Sequence, residues 1–178
     1  MTEKLRQRKD KVPIDDFQEI FLAEHREIRD VFIALYDALG TGSKRRMMEL
    51  MKKLETFCGP HFRYLEEALY PALEPILGRT FIETMFCKHD NAIIDSLQLA
   101  TIIDKHGLRE RDAKEGQRLV RRMLPYVSDC EGLSIMVEVL PDSEVQKILD
   151  VRERSLRDNF SLFGWALHVR GPRHLRLG

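Results

Sequence analysis

Apolar residues recur at intervals of three and four through almost the whole chain. Between residues 14 and 39, Phe17, Ile20, Phe21, Ile28, Val31, Phe32 and Leu35 keep this period, and Gly40-Thr41-Gly42 closes the run as a helix C-cap does. Ser43 suits the N-cap of a second helix reaching to about residue 77. Gly59-Pro60 lies inside that helix and predicts a kink, or a change of aim, just before His61. A third helix is expected from about residue 80 to 105, ending at His106-Gly107, and a fourth from about 110 to 140 with Pro125 as an internal kink. Pro141-Asp142-Ser143 opens a fifth, to about residue 159, and an apolar stretch at 162–167 precedes a basic tail, R-G-P-R-H-L-R-L-G. No alternating strand pattern, internal repeat or low-complexity tract is present. The fold class is therefore all-α. Long helices with short connections predict an up-down-up-down four-helix bundle over residues 14–140, with a C-terminal helical extension and basic tail over 141–178.

Composition narrows the function classes. A chain of 178 residues, 43% hydrophobic and 33% charged, has the length of one domain with room for a sizeable core. Its 29 basic residues balance 29 acidic ones, so there is no global attraction to nucleic acid or to an anionic membrane. On the fourth helix Arg109, Arg111, Lys114, Arg118, Arg121 and Arg122 alternate with Glu110, Asp112 and Glu115, which describes a salt-bridged solvent face. The N-terminal segment is polar, with no apolar signal region, and no stretch approaches a membrane span, so the expected location is cytoplasmic. Three cysteines, Cys58, Cys87 and Cys130, are expected as free thiols that fill core space. There is no phosphate loop, nucleophile elbow or dinucleotide fingerprint, and no catalytic residue is assigned.

The chemistry lies in the histidines. His25, His61 and His89 each sit in a long amphipathic stretch, on three separate helices, and helical bundles build metal sites from inward-pointing side chains of this kind. One turn beyond His61, on the same helix face, stands Leu65 instead of a carboxylate. Glu66 and Glu67, five and six positions on, read as a solvated pair; Glu66 reaches inward only if the helix is rotated near Gly59-Pro60.

His25 in A-E-H-R-E-I, His61 in P-H-F-R-Y-L-E-E-A-L-Y-P and His89 in K-H-D-N-A-I together resemble the hemerythrin-like (HHE, cation-binding) family, over about residues 14–140. The resemblance implies a four-helix bundle holding non-haem iron, one or two ions, with open coordination for a diatomic ligand such as dioxygen or nitric oxide. It also implies a ligand set: His25, His61, His89 and, on the fourth helix, the acid Glu131. The chain departs from the pattern at Leu65, where the family carries a metal-bridging glutamate, at Tyr126, where it carries the fourth-helix histidine, and at Ile93, where some members have a second histidine. Tyr126 is then a candidate phenolate ligand and Glu66 a candidate carboxylate. The alternative is a bundle that kept the fold without the metal and uses its C-terminal extension to bind a protein partner.

Overall fold

Pro13 opens the first helix, where its missing N–H is harmless, and Asp15 and Asp16 face the positive end of the helix dipole. This helix, α1 (Pro13–Thr41), ends at Gly42, whose φ of 70° places it in the left-handed region and lets its N–H bond the Ala38 carbonyl. Then follow α2 (Lys44–Tyr64), a π-helical turn (Leu65–Leu69), α3 (Tyr70–Leu77), α4 (Arg79–Asp104) and α5 (Glu110–Glu131). A short α6 (Leu133–Met136), a 3-10 turn (Val137–Val139), α7 (Asp142–Asp158) and α8 (Leu162–Arg170) complete the chain. This computed structural model describes residues 12–171; the polar N-terminal segment and most of the basic tail lie outside the described residues. Among the described residues there is no strand, and no helix is long and apolar enough to cross a membrane. The all-α reading holds.

Two local expectations are corrected. Gly59-Pro60 does not interrupt α2, which runs through both residues; the irregularity falls later, at Leu65–Leu69. There the Tyr70 N–H bonds the Leu65 carbonyl, a wider turn than the α-helix makes. Pro71 follows directly, and a ring that presses on the carbonyl four residues earlier is accommodated by that widening. The fourth helix stops at Gly132, not near residue 140, and the chain continues as α6 and the 3-10 turn.

The interior consists of two apolar clusters with a polar layer between them. One gathers Val31, Phe32, Leu35, Leu50, Leu54, Leu99 and Leu119; the other gathers Phe17, Phe21, Leu65, Leu69, Leu73, Met85, Leu133 and Ile148. Each fully buried leucine in these clusters contributes roughly 1.5–3 kcal/mol by transfer out of water. Glu24 and His25 on α1, His61 on α2 and His89 on α4 fall between the two sets, where buried polar groups must satisfy one another. The charged face of α5 is salt-bridged through Glu110–Lys114 and Glu115–Arg118, as its alternating charges predict, and Arg122 pairs with the buried Asp95 of α4.

The C-terminal helices are built onto the bundle. A Cβ placed on Gly59 would meet the Phe160 carbonyl oxygen at 1.9 Å, so only glycine lets the α7–α8 turn lie against α2 this closely. Arg63 of α2 bonds Asp158 at 2.7 Å and lies over the rings of Phe160 and Trp165. Ser161 caps α8 by accepting from the Gly164 N–H.

Candidate metal centre

His25, His61 and His89 line one buried cavity of about 50 Å³, together with Phe32, Cys58, Met123, Tyr126, Val127 and Cys130. All three histidines are at least nine-tenths buried. Each ring is fixed through Nδ1. His25 donates to the Phe21 carbonyl at 2.8 Å, His61 to Glu24 at 2.8 Å and His89 to Glu66 at 2.8 Å. A histidine whose Nδ1–H is held by a carbonyl or carboxylate presents Nε2 as its free lone pair, the tautomer that metal-ligating histidines use. In His89 that second nitrogen already accepts from the Tyr70 hydroxyl at 2.8 Å, and its ring stacks on Phe62 with centroids 3.9 Å apart. His25 and His61, with ring centroids 4.8 Å apart, have no such second partner among the described contacts.

The two carboxylates behind the histidines are themselves held. Glu24 accepts from His61, from Tyr64 at 2.7 Å and from Arg152 of α7 at 2.6 Å. Burial would raise its carboxyl, but the His61 bond and charge, Arg152 and Tyr64 outweigh that and hold it at about 2. Glu66 accepts from His89, from Trp165 Nε1 at 3.0 Å and from Arg170 at 2.6 Å, the last two on α8. Burial again opposes ionisation, and His89 and Arg170 prevail, bringing it to about 2. Burial and the neighbouring His61 push His25 down to about 3, and burial lowers His89, so both rings are neutral near pH 7, and His25 keeps its Nε2 lone pair available to a cation.

The other candidate positions are placed as follows. Tyr126 lines the cavity and is partly buried. Glu131 is turned away from it and pairs with Arg29 on α1. Glu66 is buried, which corrects its expected place in a solvated pair; the π-helical turn carries it inward, to His89 and not to the cavity lining. Glu67 does remain at the surface, with Arg63 and Arg154. Leu65 is fully buried in the second apolar cluster. The cysteines are free thiols; Cys58 and Cys130 are buried, whereas Cys87 is exposed and not a core residue.

Several residues of this centre escape a reading of the sequence: Glu24, Tyr64, Tyr70, Arg152, Trp165 and Arg170, while Cys130 reads there as a thiol filling core space. Glu24 alone left a signal, as an acid standing on the apolar stripe between Phe21 and Ile28. Compared with known families, residues 16–129 match the hemerythrin HHE cation-binding domain. The chain belongs to that family. No curated protein and no solved structure gives a match. Membership makes this a cation-binding helical protein, and among the described residues one group of donors has the proximity a cation needs: His25, His61 and Cys130, whose ligand atoms all lie within 4.8 Å of one another.

The donor set of this hemerythrin HHE domain fits one ion better than two. A pair of like-charged metals needs a bridging carboxylate, and the three nearby acids are unsuited: Glu24 and Glu66 are locked to arginines behind the histidines, and Glu131 faces Arg29. Burial and multiple hydrogen bonds hold Glu24 and Glu66 where they are, and Glu131 is turned out of the cavity.

Proposed function

We propose that this protein holds a single non-haem metal ion, iron as the family implies, on the Nε2 atoms of His25 and His61, and that the remaining cavity admits a diatomic ligand, dioxygen or nitric oxide. The observation that carries the reading is that both rings are fixed through Nδ1 while facing one buried cavity. When bound, the ion supplies a Lewis-acidic centre with open coordination positions. The chain's own residues do the rest. Glu24 orients His61 and raises its basicity, and Phe32, Met123, Val127 and Leu162 keep the cavity wall apolar and poor in water.

Size restricts the ligand. About 50 Å³ is several times the roughly 10–15 Å³ that one water requires, and far below the roughly 300–1,000 Å³ of metabolite pockets. A gas molecule is of a size to enter this cavity.

The test is nitric oxide titration of the ferrous protein under anaerobic conditions, followed by electron paramagnetic resonance. The parent should give the half-integer-spin signal of a mononuclear iron nitrosyl, and His25→Ala and His61→Ala should each abolish it. A parent that takes up no iron from supplemented medium would favour the metal-free bundle with a protein partner.

A further inference from the structure

We infer that the Cys130 sulfur is the third protein donor to the cation, making the centre a His2Cys site for a borderline or soft ion such as zinc, cobalt or ferrous iron. This rests on the reading that His25 and His61 are donors, and adds a ligand that the family pattern does not supply.

Helix register decides between neighbours. On α5, Met123, Val127 and Cys130 fall on one stripe at spacings of four and three, and all three line the cavity. Glu131 is one residue further, turned by roughly 100° about the axis, which takes it to Arg29 at the rim. The position next to the expected acid is therefore the one aimed inward, and it carries a thiol. The sulfur lies within 4.8 Å of a donor atom of both His25 and His61, and the Tyr70 hydroxyl that bonds His89 also contacts it; burial keeps the free thiol protonated until a cation arrives. Donors around a tetrahedral ion, with bonds of about 2.0–2.3 Å, stand roughly 3.5 Å apart, so from a spread of 4.8 Å the cluster must close by about 1.3 Å at most. Cys58 lines the same cavity from α2 but falls outside the cluster.

The chemistry then follows from the sulfur. Ligation requires the thiolate, so the Cys130 proton leaves to solvent as the sulfur–metal bond forms, and the neutral histidines release none. Two imidazoles and a thiolate favour zinc, cobalt and other borderline ions over magnesium or manganese, which prefer oxygen.

Divalent cobalt is the probe. Titrated anaerobically into the metal-free full chain, it should produce the intense near-ultraviolet thiolate-to-cobalt charge-transfer band at one equivalent. Cys130→Ser should lose that band and weaken cobalt binding by about tenfold or more, while Cys58→Ser keeps it. The band in the parent needs no variant to fold, so its presence or absence stands by itself. Cobalt binding that depends on His25 yet shows no thiolate band, in parent or variants, would overturn the inference and leave the proposed function standing. A band that survives in Cys130→Ser and vanishes in Cys58→Ser would assign the wrong cysteine and also overturn it. No cobalt binding at all would overturn both.

Discussion

Glu24 and Glu66 are acids at interior positions, and each is ionised because a histidine and an arginine outweigh its burial. The consequence appears in acid stability. His25 has a folded-state value of about 3, below its usual 6.5, so folding excludes its proton; the associated stability is complete above about pH 6.5 and is lost as pH falls toward 3. For Glu24 and Glu66, held at about 2 against a usual 4.5, the stability is complete above 4.5 and is lost as pH falls toward 2. Urea denaturation in the presence of chelator should therefore show stability declining from about pH 6.5 and more steeply below about 4.5; a flat profile from about pH 7.5 to 4 would contradict the buried pairs. Leu65 is read the other way. Leu65→Glu would bury a carboxylate among Phe17, Phe21 and Leu69, with a cost of several kcal/mol seen in metal-free thermal melts; an unchanged melt would place Leu65 outside the core. At this scale the three histidines were legible, because each is a polar residue within an amphipathic run. The pairing of Glu66 with His89 was not, since Glu66 reaches that ring only through a turn that α-helical periodicity cannot describe.

The element that matters most is the second long helix with its widened turn. The sequence shows Gly59-Pro60 and invites a kink, yet glycine there answers to packing: the Phe160 carbonyl lies where a Cβ would be. Two effects oppose each other in Gly59→Ala. Helix propensity favours alanine by about 1 kcal/mol, whereas forcing a methyl group against backbone that cannot rotate away costs more, typically 1–3 kcal/mol and higher for a rigid contact. The clash should win, and chemical denaturation should show Gly59→Ala less stable than the parent, with faster proteolysis at the α7–α8 turn. A stabilised variant would mean that α8 does not dock here. Helix boundaries were legible wherever a glycine or proline ends the periodicity, as at Gly42 and Pro141. The early end of α5 at Gly132 was not, because the apolar pattern continues into α6.

Across the whole molecule, the C-terminal helices close the centre. Arg152 reaches Glu24 from α7, and Trp165 and Arg170 reach Glu66 from α8, so both carboxylate–histidine pairs depend on chain beyond residue 129, where the family match ends. The sequence marked this region as a fifth helix, an apolar stretch and a basic tail with a protein partner as its alternative use, since nothing local reports a contact a hundred residues away. Arg170→Met should destabilise the chain by about 2–4 kcal/mol in urea, somewhat under the 3–5 kcal/mol of a wholly orphaned buried charge because Trp165 and His89 still bond Glu66. A neutral effect would make α8 a loosely attached appendage. The central claim is one cation per chain, held by His25 and His61 in the polar layer, where the family's bridging position is filled by Leu65. Native mass spectrometry of protein loaded anaerobically with ferrous iron counts it directly. The expected spectrum shows one iron per chain, lost in the His25→Ala and His61→Ala variants; a parent carrying two irons per chain would contradict the account.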